Sequence, residues 1–151
     1  MKSKSTNKKS KMVRTRKNSS PTNQHTQQKI VMMFLQMLNT VKLYHWKTYN
    51  YSQHKATDQL YTELNENIDT FVETMLGKTG DRVNLTRQKT IPLFDFTNLI
   101  DFTKEIEKYK TFLINMNIEA GINITNNSDL FNIRDEILGN LNQFTYLLTL
   151  E

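Results

Sequence analysis

The side chains of this sequence that could do metal chemistry lie between positions 45 and 73. The five candidate ligands are His45, His54, Asp58, Asp69 and Glu73. Two imidazoles and three carboxylates form the hard nitrogen and oxygen ligand set that iron, manganese or zinc accepts. The chain contains no cysteine, which excludes disulfides and thiolate metal sites. These residues therefore predict a metal centre built from histidine and carboxylate alone.

Helical geometry divides these ligands into two groups. At about 100° per residue, the four ligands from position 54 onwards share one face of a helix, beside its apolar stripe. The rise of that helix places His54 about 22 Å from Asp69, which is too far for one metal centre. One chain therefore offers two half-sites, which only a second copy, antiparallel across a twofold axis, can join. The alternative is that the carboxylates form an ordinary solvated face and the histidines are surface or capping residues.

Four amphipathic stripes predict the helices that position these ligands. Apolar residues recur in each stripe at intervals of three and four residues. The predicted helices cover about 30 to 47, 53 to 76, 97 to 118 and 128 to 148. Gly77 is the predicted stop of the second helix, and Ser128 is the predicted N-cap of the fourth. The pattern predicts an all-α fold, with an antiparallel four-helix bundle over residues 29–151.

The first 28 residues differ in composition from the rest. They contain no acidic residue and contribute eight positive charges to a formal net charge of +5, which leaves residues 29–151 at −3. Such a segment buries too little apolar surface to offset its ordering entropy, so we expect a disordered tail. A flexible basic arm binds DNA through its phosphates without reading sequence. A solubilising or targeting arm is the alternative. The basic residues are Lys2, Lys4, Lys8, Lys9, Lys11, Arg14, Arg16 and Lys17.

The spacing of the candidate ligands resembles the signature of the Dps-type miniferritins, most closely the Dps-like proteins of phages and large DNA viruses. His45 and Trp46 match the His-Trp pair that ends the first helix of that family, and His54 matches the histidine after the following loop. The acidic residues that follow at the family's spacing are Asp58, Asp69 and Glu73. The resemblance covers residues 30–76 well, the last predicted helix weakly, and the third hardly at all.

This resemblance implies a ferritin-like homo-oligomer that oxidises ferrous iron with peroxide or dioxygen and stores ferric mineral in a hollow shell. It implies assembly from twofold dimers, with a dodecameric shell as the candidate form. The oxidation would be a ferroxidase-type reaction at a di-iron site. Trp46 would lie close enough to take up oxidising equivalents, or would serve as an interface anchor.

The resemblance also assigns a role to each candidate ligand. His45 would bind the first iron together with Asp69 and Glu73 from a neighbouring subunit. His54 and Asp58 would bind the weaker second position, and Glu73 would bridge the two irons. The site would thus lie at the twofold interface, which agrees with the two half-sites that the helix spacing requires.

The chain departs from the miniferritin signature near these ligands. His54 follows His45 by nine positions, where the family usually has twelve, and Thr74 replaces the arginine that commonly follows the last glutamate. Two alternatives therefore stay open. One is a non-catalytic ferritin-like protein, such as a virion or DNA-packaging component. The other is an architectural nucleic-acid-binding protein. No apolar run approaches the roughly 20 residues of a membrane span, and we expect a cytoplasmic protein, in the host cytoplasm or the virion if viral.

Overall fold

All regular structure in the described part of the chain is helical. The computed structural model describes residues 21–123 and 125–150, and no strand occurs within them. The five helices are α1 (Pro21–Lys47), α2 (Tyr51–Thr79), α3 (Leu99–Ile114), α4 (Met116–Glu119) and α5 (Ser128–Leu147). The predicted all-α class is confirmed. None of the described helices is long and apolar enough to cross a membrane.

The first helix begins eight residues earlier than the boundary predicted for the basic tail. Residues 21–28 were expected to be disordered, but α1 starts at Pro21, a residue whose fixed φ suits the first turn of a helix. Gln27 is buried, and its Nε2 donates a hydrogen bond to Thr79 Oγ1 at 3.0 Å. This contact with a distant residue holds the first turns of α1 in place. All eight basic residues of the predicted tail lie outside the described residues.

The second helix continues past its predicted stop at Gly77. It ends at Gly80, whose φ of 73° lies in the left-handed region and whose N–H donates to Leu76 O. A left-handed residue after the last turn is a common helix terminator, and glycine adopts it without steric cost. At the other end, Asn50 caps α2 by accepting a hydrogen bond from the Gln53 N–H.

The predicted third helix is interrupted. Asn115 has φ −95° and ψ 17°, which ends α3, and the short helix α4 follows directly. Asparagine is a poor helix-interior residue because its amide competes for backbone hydrogen bonds. Asn127, rather than Ser128, is the N-cap of α5. Its side chain makes no cap bond to α5, and its Nδ2 instead donates to Asn123 O.

The four long helices bury one shared apolar core. α1 packs against α2 and α3, and α5 packs against the same two helices. Aromatic contacts join α1 to both of its neighbours. Phe34 meets Phe71 of α2 edge-on at 5.1 Å between centroids, and Tyr44 stacks on Phe102 of α3 at 4.0 Å. Most positions of the predicted stripes are buried. The largest fully buried side chains are Tyr109, Phe34, Phe71, Phe102, Phe144, Ile30, Met37, Leu60, Leu64, Ile106, Leu113 and Met116.

A long connection, residues 80–98, joins α2 to α3 with no regular structure of its own. Two contacts fasten it to α1. Gln28 Nε2 donates to Asn84 O at 2.6 Å near the start of α1, and Lys47 Nζ donates to Asp95 Oδ2 at 2.5 Å at its end. The connection is therefore bonded to α1 at two places, in its first half and at its last residue.

Candidate metal centre

The two histidines among the candidate ligands meet at the junction of α1 and α2. Residues 48–50 alone link these helices. Two hydroxyls, Tyr44 Oη at 2.9 Å and Thr48 Oγ1 at 2.8 Å, donate to Gln53 Oε1 and hold the link against the first turn of α2. This short link, held by the two hydrogen bonds, places His45 at the end of α1 beside His54 at the start of α2.

The imidazoles of His45 and His54 are stacked and bonded reciprocally to each other's backbone. Their centroids are 4.0 Å apart with an angle of 22° between the rings. His45 Nδ1 lies 3.1 Å from His54 O, and His54 Nδ1 lies 3.1 Å from His45 O. The buried Thr57 adds a third contact, because its Oγ1 lies 3.2 Å from His45 Nδ1.

These bonds fix which nitrogen of each ring carries the proton. A carbonyl oxygen only accepts, so Nδ1 of both His45 and His54 must be the donor. In each neutral ring, Nε2 then keeps its lone pair. An Nδ1–H bond to a backbone carbonyl is the arrangement that orients histidine to bind a metal through Nε2.

Asp58 lies beside this pair on the next turn of α2. Its Oδ1 is 3.9 Å from His45 Nε2, which is too long for a hydrogen bond. Ligands next to each other on an octahedral metal with bonds of about 2.1 Å are about 3 Å apart. A small movement of the exposed Asp58 side chain would therefore let both groups bind one cation. His45 itself is buried, with 7% of its surface exposed.

Asp69 and Glu73 do not join this group within one chain. Both are exposed on α2, and the helix rise places Asp69 about 22 Å from His54. Neither carboxylate forms an ion pair with any residue in the described ranges. Within those ranges, no three histidine or acidic side chains of one chain converge closely enough to hold a metal ion. One chain thus presents a histidine-containing group and a separate carboxylate pair.

Trp46 lies next to the histidine pair with 68% of its surface exposed. The ammonium of Lys42 lies 5.7 Å from the centre of its ring and 4.5 Å from that of Tyr61. Sequence reasoning missed both Lys42 and Thr57. A signal existed for Thr57, because a hydroxyl three residues after His54 lies one helical turn away. No comparable signal exists for Lys42, because its contact with Tyr61 joins two different helices.

Comparison with known proteins gives a family and nothing closer. Neither a curated protein nor a solved structure matches the chain significantly. One family model matches residues 45–148, a range that starts at His45 and contains all five candidate ligands. That range is more than half of the chain, and the chain therefore belongs to the family of unknown function DUF5856.

Proposed function

We propose that this protein binds and oxidises ferrous iron at a di-metal site shared between two subunits and stores the product, as a Dps-like ferritin. The observation that carries this proposal is the reciprocal bonding of His45 and His54. Both Nδ1–H groups are bonded to carbonyl oxygens, so both Nε2 lone pairs remain for a metal. Asp58, at 3.9 Å from His45 Nε2, adds a carboxylate to the same group.

The second half of the proposed site comes from another copy of the chain. Asp69 and Glu73 are exposed and have no cationic partner in the described ranges, so two uncompensated negative charges face solvent. An antiparallel copy of α2 across a twofold axis would bring the carboxylate pair of each chain to the histidine group of the other. Each such dimer would then contain two equivalent sites.

The contacts between helices support an antiparallel, ferritin-like bundle as the framework. Along α1, Lys29 near the start meets Glu119 beyond the end of α3, whereas Tyr44 near the end meets Phe102 at the start of α3. As the position along α1 increases, the position of its partner along α3 and α4 decreases, as expected for antiparallel helices. α2 and α5 follow the same rule, with Lys78–Asp129 at one end and Glu63–Asn140 further along.

The connectivity also favours a ferritin-like order over a simple up-down bundle. Among the described helices, α2 and α3 do not pack against each other, although they are consecutive long helices joined by residues 80–98. A long crossover between two non-adjacent helices of a four-helix bundle is the ferritin-like arrangement. The bundle would place the histidine group and the carboxylate pair on the same side of α2.

The proposed chemistry requires little from the protein beyond positioning. Two ferrous ions, as substrates, supply the two electrons that reduce one peroxide to two waters, with two protons taken from solvent. The carboxylates of Asp58, Asp69 and Glu73 stabilise the additional positive charge of ferric iron. The Nδ1–H bonds hold the two imidazoles in the orientation that binding requires.

A non-catalytic ferritin-like protein, structural or involved in DNA packaging, is the second candidate. The same reciprocal bonds would be sufficient to clamp the end of α1 to the start of α2 without any metal. This alternative keeps the fold and predicts no specific iron binding by the histidine pair.

An anaerobic titration with Fe(II), followed by a pulse of peroxide, distinguishes the two candidates. The wild-type protein should bind about two irons per chain and oxidise two per peroxide. His45→Ala combined with His54→Ala should abolish tight binding, whereas His25→Ala, which removes the remaining histidine, should not. Equal iron binding by the wild type and the double variant, with unchanged circular dichroism, would exclude the proposed site.

A further inference from the structure

A cavity of about 550 Å³, lined by both polar and apolar side chains, lies beside the first turns of α1, far from the histidine pair. Its other wall is the turn at residues 84–88 in the connection between α2 and α3. His25, which lines the cavity, is twenty residues from His45 on the same helix, a separation of about 30 Å. The cavity is therefore not part of the candidate metal centre.

The charged side chains that line the cavity are cationic. Lys29, Arg87 and His25 line it, and no lining residue is acidic. Lys29 is partly neutralised, because its Nζ donates to the carbonyl and, at 3.1 Å, to the carboxylate of Glu119. Arg87 is exposed and has no ion-pair partner in the described ranges. Its planar guanidinium remains available to pair with two oxygens of one phosphate.

Side-chain amides supply a second kind of recognition. Gln28 Nε2 donates to Asn84 O, and Gln88 Nε2 donates to Thr90 O, both at 2.6 Å. The opposite atom of each amide, Oε1, makes no hydrogen bond within the described part of the chain, and neither does Asn84 Nδ2. The cavity thus offers two acceptors and an amide donor, which is the chemistry that pairs with the edge of a nucleobase.

The remaining lining is apolar and held in place. Met32 and Leu85 are half-buried, and Leu85 packs against the main core. The bond from Gln28 to Asn84 fixes the turn against α1. The volume lies in the range of about 300–1,000 Å³ that is typical of small-molecule sites. Apolar surface next to unbonded amide atoms suits a planar, polar ring better than it suits an inorganic ion.

We propose that this cavity binds a nucleotide. Arg87 and Lys29 contact its phosphate, and Met32 and Leu85 contact the face of the ring. The unbonded amide atoms, Oε1 of Gln28 and Gln88 and Nδ2 of Asn84, contact the edge of its base. The ligand is a 5′-phosphorylated nucleotide, either free or as one unit of a single strand. This assignment is independent of the iron chemistry proposed above.

Calorimetric titration of the full-length protein with AMP, adenosine and inorganic phosphate tests the proposal. AMP should bind more tightly than adenosine or phosphate. Arg87→Gln should weaken AMP binding about tenfold or more, as expected for the loss of a charge-assisted bond. The matched control is Arg82→Gln, an exposed arginine of the same connection that does not line the cavity, and it should change the affinity less than twofold.

Three results would overturn the assignment: no AMP binding by the wild type at millimolar concentration, phosphate binding as tight as AMP binding, or equal losses in the two arginine variants. A 5′-phosphorylated single-stranded hexanucleotide distinguishes the two sources of the ligand. Weaker hexanucleotide binding by Arg87→Gln than by Arg82→Gln identifies a single strand. An effect of Arg87→Gln on AMP alone identifies the free nucleotide.

Discussion

His45 and His54 hold each other by exchanged hydrogen bonds: the Nδ1 of each ring lies 3.1 Å from the backbone oxygen of the other residue. The two imidazoles are therefore oriented as a unit, and a change at one residue removes a hydrogen bond from the other. This coupling makes single histidine variants poor tests of individual ligands. Variants of the groups around the pair are more informative.

Thr57→Val should weaken iron binding without unfolding the protein. The Nδ1–H of His45 has two acceptors, His54 O at 3.1 Å and Thr57 Oγ1 at 3.2 Å. Loss of such a supporting contact typically lowers metal affinity about tenfold. Anaerobic Fe(II) titration measures the change, with Thr103→Val on α3 as the control. If both threonine variants bind iron like the wild type, Thr57 does not orient a metal ligand.

Glu73→Gln should abolish rapid iron oxidation while leaving helicity and assembly intact. The substitution keeps the shape of the side chain and removes the charge proposed to bridge two irons. Stopped-flow absorbance after a peroxide pulse measures the rate. Glu66→Gln, at another exposed position of the same helix, should oxidise iron at the wild-type rate. An unchanged rate in Glu73→Gln would remove this residue from the site and favour the non-catalytic alternative.

Complementation between two inactive variants tests whether the site is shared. One variant carries Ala at positions 45 and 54, and the other carries Ala at positions 69 and 73. A mixed dimer has one site with every ligand and one site that keeps only Asp58. Because random pairing makes about half of the dimers mixed, about a quarter of the wild-type activity should return. Absence of recovery, with subunit exchange verified by mass spectrometry, would refute a shared site.

Removal of residues 1–20 should abolish the binding of duplex DNA and preserve the fold. These residues carry all eight cations of the basic tail, and each phosphate they neutralise should contribute about −0.9 to the slope of log K against log salt concentration. Gel-shift assays at several salt concentrations measure this slope. Equal DNA affinity of the truncated and full-length proteins would exclude the tail as the binding segment.

A longer truncation, to Lys29, is the matched comparison. It also removes the partly buried hydrogen bond from Gln27 to Thr79, so it should lower the free energy of unfolding by about 1 kcal/mol or more. Thermal unfolding followed by circular dichroism measures the difference. Equal stability of the two truncations would show that residues 21–28 contribute nothing to the fold.

Tyr109 should make stability fall at alkaline pH. Burial raises the pKa of its phenol from 10.0 to about 12, the bond to Thr40 opposes this shift, and the charge of Glu105 adds to it. The folded state therefore keeps the proton that the unfolded state loses above pH 10. This contribution is fully present below pH 10 and is lost as the pH rises to about 12.

Tyr109→Phe should flatten that decline and cost about 1 kcal/mol at neutral pH, because Thr40 loses a hydrogen bond of 2.7 Å. Urea unfolding at several pH values measures both effects. The control is Tyr146→Phe at an exposed position, which should keep the wild-type pH dependence. The same slope in all three proteins would show that other groups control alkaline stability.

The core was predictable from sequence, and the ends of the helices were less so. The apolar residues spaced three and four apart on α3 are buried, because periodicity reports directly which face avoids water. They are Phe102, Ile106, Tyr109 and Leu113. The end of α2 depends on distant residues. Lys78 and Thr79 are helical and contact Asp129 and Gln27, about fifty positions away. Local preference does not distinguish Gly77 from Gly80, because either glycine suits a helix terminus.

The candidate ligands could be selected from their spacing in the sequence, but the geometry between their side chains could not be predicted from it. The stacking of His45 on His54 depends on the shape of the link at residues 48–50, which the hydrogen bonds of Gln53 define. Spacing places His54 and Asp69 on one helix, and α2 contains both residues. Helix rise alone then puts them about 22 Å apart within one chain.

The three-residue link between α1 and α2 divides the assembly of the proposed centre into two steps. The first takes place within one chain, and the second takes place between two chains. The group of His45, His54 and Asp58 closes within a short stretch of chain, so its formation is first order and costs little loop entropy. The addition of Asp69 and Glu73 requires an encounter between two chains and is second order. Dilution below the dissociation constant of the dimer would therefore leave the histidine group intact and separate it from the carboxylates that complete it.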